Sequence, residues 1–236
     1  MIRQILKRLS RGVILKRRLP IEFGKTAFLV SPESALGYWR HNIARVDPFL
    51  LSMARQWARN ETTVWDIGAN VGLFSFAAAA LGSRVLAVEA DVWLASLLHR
   101  SVLLNGAPVT VLAAAVADTP GISSLHFSEE GKSSNSLLGA GPAQTVVTIT
   151  LDWILEHYPP PQVLKIDVEG MEYRVLKGAH KVLEHRPVIL CEVTQDHDGV
   201  GQLLRNAGYV LYAARDQRHL PLQRPSRDTL ALPSLA

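Results

Sequence analysis

This chain has one cysteine, Cys191, in 236 residues. A lone cysteine excludes an internal disulfide framework and a cysteine-based zinc cluster, and it agrees with a reducing compartment. Long apolar runs are also missing. The stretch from Phe76 to Leu81 is cut by Gly82, Ser83 and Arg84, so no segment reaches the length of a membrane span. Charged residues are only 19% of the chain and hydrophobic ones 48%, which argues against disorder over most of its length. That length suits one well-packed domain and is short for two.

Acids are absent from residues 1–21, which hold Arg3, Lys7, Arg8, Arg11, Lys16, Arg17 and Arg18. Without those seven, the chain has 18 basic and 21 acidic residues, a net of −3. The net charge of +4 therefore sits in the arm, and the body lacks the broad basic surface of a nucleic-acid binder. Ile2, Ile5, Leu6, Leu9 and Val13 follow helical spacing. A basic amphipathic helix of this kind can lie on an anionic membrane, or dock on its own domain. The expected location is cytoplasmic, with peripheral contact at the inner face of the membrane through residues 1–20. Charges interrupt any signal-peptide core.

The expected organisation is an arm over 1–20, a hairpin and helical extension over 21–62, and one domain over 63–236. Residues 21–31 read as a hairpin or edge strand turning at Gly24, and 34–60 as helical, with Asp47-Pro48 able to cap and open a helix. From 63 onward, strands at 63–68, 84–89, 109–116, 163–167 and 187–193 alternate with helices at 72–81, 91–105, 150–158, 172–184 and 199–207. The stretch 121–147 breaks this rhythm and reads as an added hairpin or lid. Strands at 209–213 and 229–232 close the sheet. The alternation predicts an α/β fold, doubly wound and Rossmann-like.

Two segments carry the chemistry. Val64-Trp65-Asp66-Ile67-Gly68-Ala69-Asn70-Val71-Gly72 and Leu164-Lys165-Ile166-Asp167-Val168-Glu169-Gly170 are apolar runs that end in a carboxylate and turn through glycine. Buried parallel strands that end this way deliver polar groups to the carboxyl edge of the sheet, where ligands bind. A dinucleotide loop would place a glycine where Asn70 stands, so that pyrophosphate can approach the backbone. Asp66 facing the ligand would repel phosphate and attract an ammonium. Glu89 lies at the distance past the loop of a carboxylate that holds a ribose diol. A ligand with a ribose, a cationic amine and no phosphate fits S-adenosylmethionine. A nicotinamide oxidoreductase is disfavoured by Asn70 and Asp66.

These two segments, together with Val88-Glu89-Ala90, Thr150-Leu151-Asp152 and Cys191-Glu192, resemble the FkbM-type methyltransferases over about residues 63–193. The last of the strand-end motifs, K-I-D-V-E-G, is the most specific. The resemblance implies a seven-stranded, mostly parallel sheet with an antiparallel edge strand. It also implies methyl transfer from S-adenosylmethionine, usually to a hydroxyl oxygen. Carried over by position, Asp66, Gly68, Asn70 and Gly72 hold the methionine end, and Glu89 with Ala90 the ribose. Asp118 falls near the adenine amino group, or else is a turn former before Thr119-Pro120-Gly121. Asn105 also matches, and a helix C-cap explains it equally.

Asp167 should face the sulfonium or the acceptor. Glu169 and Glu192 read as general bases, acceptor contacts or helix-end charges. His197 is the best base among the histidines, while His41, His126 and His185 have no metal-ligand spacing. Asp167, Glu169 and Glu192 could offer oxygen ligands to Mg²⁺. Ser133 to Leu137 reads as bordering the acceptor pocket. The acceptor is expected to be a small molecule, sugar or glycolipid hydroxyl, and not a nucleic acid: Asp167-Val168-Glu169-Gly170 stands where base N-methyltransferases carry an Asn/Asp-Pro-Pro-aromatic segment. The rival from another class is a non-catalytic membrane-surface protein that retains the cleft.

Overall fold

The computed structural model describes residues 12–34, 37, 38, 40, 42–128, 135–216, 218 and 220–234. The apolar stripe at Ile2, Ile5, Leu6 and Leu9 lies outside them. The helical arm does not extend to residue 20, because β1 (Leu15–Arg18) is a strand paired antiparallel with β2 (Ala27–Val30). A short 3₁₀ turn at Ile21–Phe23 and a left-handed Gly24 join them. The expected hairpin therefore starts six residues early and crosses the division drawn at 20/21.

The extension is less helical than its sequence suggests. It has 3₁₀ turns at Pro32–Ser34 and Ile43–Arg45, and one helix, α1 (Pro48–Trp57). Gly37, at φ +72°, takes a conformation that no helix interior allows. Asp47 then restarts the helix: its side chain accepts from the Leu50 N–H at 2.9 Å, and Pro48 occupies the first turn.

The main sheet is built from β3 (Thr63–Ile67), β4 (Arg84–Glu89), β5 (Val109–Ala113), β9 (Val163–Ile166), β10 (Val188–Glu192), β11 (Tyr209–Ala213) and β12 (Asp228–Pro233). Its order is β11-β12-β10-β9-β3-β4-β5, and all neighbours are parallel except those of β12. The antiparallel strand sits one place in from the edge. The covering helices are α2 (Leu73–Ala80), α3 (Val92–Asn105), α4 (Leu151–Leu155), α5 (Glu172–Lys177), α6 (His180–Glu184) and α7 (His197–Asn206). Both faces are covered, so β3 after Thr63 and all of β9 are buried without alternation, and the charges they carry, Asp66 and Lys165, are paired with each other.

The expected helix over 172–184 is two helices. A Cβ at Gly178 would meet the Ala117 carbonyl oxygen at 2.6 Å, so the chain passes too close there to carry a side chain. The expected third strand is likewise split, into β5 and β6 (Ala115–Val116). The latter joins β7 (Gly121–His126) and β8 (Ala143–Ile149) in a separate three-stranded sheet. This hairpin is what the change of rhythm after Gly121 encodes.

One core lies between the sheet and the N-terminal side, where Phe23, Phe28 and Ile43 pack with Leu73, Phe76 and Leu97. The other holds Trp65, Ile166, Val175, Val182 and Leu204. Asn105 does more than end its helix. Its Nδ2 donates to the Ala27 carbonyl at 2.6 Å, and its Oδ1 accepts from the Ala27 N–H at 3.1 Å, which pins the hairpin to α3.

Candidate active site

The chain reverses its winding between β3 and β9, and ligands of open α/β sheets bind at the carboxyl ends of strands flanking such a point. A cavity of about 500 Å³ opens there, a size that suits a nucleoside-bearing cofactor. Val88, Ala115, Val116 and Leu125 give it an apolar wall, and Asp167, Glu169 and Glu192 a carboxylate end.

Glu89 is the best-oriented polar group on the wall. One carboxylate oxygen accepts from the Asn70 N–H at 2.7 Å and the other from the Asp91 N–H at 2.8 Å. Each keeps a lone pair for a hydroxyl, as a ribose diol requires. Burial pushes its pKa up to about 7, against the two backbone N–H groups that favour the charged form. Asn70 makes the turn at φ +53°, and its own Oδ1 accepts from the next N–H, that of Val71, at 2.7 Å.

Four residues were expected to hold the methionine end, and two of them reach the cavity. Gly68 and Asn70 line it, together with Ala90 beside Glu89. Asp66 does not. It is fully buried, accepts from the Ser75 hydroxyl at 2.6 Å and pairs with the Lys165 ammonium at 3.1 Å. The cation it attracts belongs to the chain itself. Gly72 also stays off the wall: a Cβ there would meet Leu98 Cδ1 at 2.2 Å, so it serves the packing of α2 on α3.

Gly68 has two reasons to be glycine. Its φ is +77°, and a Cβ would stand 1.8 Å from the Asp167 carbonyl oxygen. The two strand-end turns touch backbone to backbone at this point. Gly68→Ala should cost more than roughly 3 kcal/mol, through backbone strain and overpacking together. Thermal melting checks this, and a variant that melts like the wild type would refute the reading.

Lys165 bridges Asp66 and Asp167, at 3.1 and 3.3 Å. Burial by itself would lower its pKa, but the two carboxylates outweigh that and raise it. Asp167 is the cleft end of this bridge and stands on the cavity wall. Glu169 lines it too, with a left-handed backbone at φ +51°. Burial and then the neighbouring Asp167, Glu192 and Glu172 push its pKa up to about 7. For Glu192, burial and Asp167 push upward against an ion pair with Arg227 at 2.6 Å.

Three expectations fail on geometry. His197 is not on the wall: its Nδ1 sits 3.0 Å from the Pro225 carbonyl, at the start of α7. Asp118 is not on the wall either. Arg174 at 2.8 Å and Lys177 at 3.5 Å hold it. Burial pushes its pKa upward, but Arg174 and Lys177 together outweigh that and hold it below the usual carboxylate range. Ala115 and Val116, just before Asp118 in the chain, line the cavity instead. Asp118→Asn should therefore leave the affinity for S-adenosylhomocysteine within about threefold, since exposed pairs are worth little. Calorimetric titration decides it, and a hundredfold loss would put Asp118 back in the site. As for Mg²⁺, no three His, Cys, Asp or Glu side chains among the described residues are grouped to hold a metal ion. Asp167, Glu169 and Glu192 do not form such a centre.

Ser133 and Ser134 lie outside the described residues, but Asn135, Ser136 and Leu137 line the cavity. Asn135 Nδ2 donates to Asp91 at 2.9 Å, and the Ser136 hydroxyl donates to the Glu169 carbonyl at 2.7 Å. The loop thus spans the crevice from β4 to the turn after β9. Sequence reading missed Arg215, Arg227 and Asp228, which also line the cavity. Arg215 and Arg227 come from the connection between β11 and β12, which carries no motif, and Asp228 opens β12. Glu172 was missed as well. It is fully buried and accepts from the Gly170 N–H at 2.8 Å and from Thr194. It shapes the turn that carries Glu169.

The model of the methyltransferase FkbM domain matches residues 66–211. Hexuronic acid methyltransferase AglP of Haloferax volcanii is 26% identical over 166 residues, covering 69% of this chain and 67% of the relative. The 16S rRNA N2 G1207 methyltransferase RsmC of T. thermophilus superposes with a TM-score of 0.52 at 10% identity, over 94% of this chain and 50% of that one. That likeness is one of fold. Precorrin-6y C5,15-methyltransferase of Geobacter metallireducens gives 0.48 at 16% identity, over 80% and 86%.

Proposed function

The chain belongs to the FkbM methyltransferase family, and on that premise we propose that it transfers the methyl group of S-adenosylmethionine to a hydroxyl oxygen of a sugar. It is an S-adenosylmethionine-dependent methyltransferase, so the oxidoreductase and non-catalytic readings fall away. The observation that carries the cofactor assignment is Glu89, held by two backbone N–H groups in an apolar-walled cavity with carboxylates at its far end. The cavity suits the cofactor's parts. Val88, Ala115, Val116 and Leu125 would pack the adenine, Glu89 would accept from the ribose diol, and the carboxylate end favours the sulfonium. When bound, the cofactor supplies an activated methyl carbon.

The chain's own residues have two tasks, alignment and proton removal. Lys165 fixes Asp167 at the carboxylate end. Glu169, with a pKa near 7, suits the proton acceptor for a hydroxyl better than Glu192, which Arg227 already holds. His197 has no part in this. The sugar acceptor is supported by the relative's name and by the carboxylates, which accept hydrogen bonds from hydroxyls.

Calorimetric titration with S-adenosylhomocysteine, and with NAD in parallel, tests the cofactor. Methyl transfer from labelled S-adenosylmethionine to glycosides tests the chemistry. Homocysteine-ligand binding without NAD binding, and label on oxygen, are the expected results. Label on nitrogen or carbon of every acceptor that turns over would refute O-transfer.

A further inference from the structure

A second, smaller cavity of about 110 Å³ lies beside the first and shares Asp167, Glu192, Arg215 and Asp228 with it as walls. Of its remaining walls, Tyr38, Asp47, Phe49, Leu50 and Met53 come from the N-terminal extension, and Lys165, Ile166, Leu190, Cys191, Ala214 and Thr229 from the sheet and the β11 end. No motif of the methyltransferase segments reaches residues 38–53, so the extension supplies something the cofactor cleft does not need. We infer that this cavity, together with the wall it shares with the larger one, is the acceptor subsite, and that it takes one edge of an uncharged sugar ring, in preference to a sugar acid. The inference rests on the methyl-transfer reading above.

Place and charge carry the argument. The shared wall puts Asp167 and Glu192 on the boundary between the cofactor's carboxylate end and the smaller cavity. A group seated there has its hydroxyl beside the reacting end of the first cavity. Phe49, Leu50 and Met53 offer an apolar surface to the C–H face of a ring. The Tyr38 hydroxyl, which lies 3.4 Å from Asp47, and the carboxylates offer partners to its hydroxyls.

The charged walls are four acids, Asp47, Asp167, Glu192 and Asp228, and two cations, Lys165 and Arg215; with their ion-pair partners Asp66 and Arg227, five acids stand against three cations, so the acids stay in excess. Both wall cations are already committed to acids: Lys165 to Asp66 and Asp167, and Arg215 to Asp228. Arg215 also lies over the Phe49 ring, 3.9 Å from its centroid. A ligand hydroxyl therefore finds acceptors, whereas a ligand carboxylate meets like charge. Like charges placed together are a strong means of rejecting a wrong partner.

The test uses the full chain loaded with S-adenosylhomocysteine. Saturation-transfer NMR compares the methyl glycosides of glucose, galactose and mannose with methyl glucuronide and methyl galacturonide. Two variants are read beside the wild type. Ala214→Phe fills the small cavity from a residue that does not line the large one, and Tyr38→Phe removes one hydroxyl. At least one neutral glycoside should bind tenfold or more tighter than its acid. Ala214→Phe should abolish that binding, Tyr38→Phe should weaken it three- to tenfold, and both should bind S-adenosylhomocysteine as the wild type does. Should Ala214→Phe fail to bind that ligand, Tyr38→Phe alone decides.

Equal or tighter binding of the acids overturns the inference, as does no glycoside binding or binding indifferent to the variants. Each of these leaves the cofactor assignment standing. A wild type that does not bind S-adenosylhomocysteine overturns the methyl-transfer reading, and this inference with it.

Discussion

Glu89→Ala should weaken S-adenosylhomocysteine binding by at least roughly a hundredfold. Two hydroxyl–carboxylate bonds are lost, each worth about 1.5–3 kcal/mol, and every 1.4 kcal/mol is a factor of ten. The truncation also leaves the Asn70 and Asp91 N–H groups without their acceptor, which loosens the loop that meets the ligand. A loss under fivefold would mean that the ribose lies elsewhere.

The same carboxylate predicts a pH dependence. Its pKa in the folded protein is about 7, above the ordinary 4.5, so the native state holds a proton that the unfolded chain has released. Stability from this group is fully present below about pH 4.5 and declines as pH rises to about 7. Ligand affinity runs the other way, because the ribose hydroxyls donate to the ionised form. Binding should weaken about fivefold from pH 7 to pH 6, and about tenfold per unit below that. Glu89→Gln should flatten this profile. S-adenosylmethionine should show a steeper slope than S-adenosylhomocysteine, since its sulfonium also favours ionised Glu169, whose pKa is likewise about 7.

Lys165→Met should destabilise the fold by about 3–5 kcal/mol, because it leaves Asp66 as a buried carboxylate without its counter-charge. For a chain of this size that is a fall in melting temperature of roughly 6–20 °C. Removing both charges is different from removing one. Asp66→Asn combined with Lys165→Met should recover more than half of the lost stability, since a neutral pair in the same space has no unpaired charge. Differential scanning calorimetry reads both. A double variant no more stable than Lys165→Met would show that the ammonium matters for packing and not for charge.

The parallel sheet was legible because its central strands are short apolar runs at regular spacing, and because buried strands leave no other pattern. Asp167 and Glu89 were legible for a related reason. Glu89 is the last residue of its strand and Asp167 follows the end of its own, so each emerges at the sheet edge, unlike Asp66, which lies one residue inside β3. Where a residue lay in a longer segment the reading failed. Asp118 sits one residue past a buried run, like a site residue, yet the cations it meets come from α5, 56 and 59 positions on. His197 follows a strand end too, but its ring turns to Pro225.

What the sequence alone determined is the order of the main-sheet strands and their covering helices after residue 63, the two glycine turns and the carboxylates at or beside the ends of β3, β4 and β9. These follow from local pattern: apolar runs, caps and turn residues within a few positions of one another. Tertiary structure decided which of those carboxylates face the cleft. Asp66 lies inside β3 opposite Lys165, which takes it as an internal counter-ion, while Asp167 follows the end of β9 and stands at the cleft. The walls from Tyr38 to Met53 and from Arg215 to Asp228 were decided the same way. Their positions depend on segments more than 100 residues apart meeting at one sheet edge, and no local spacing records that.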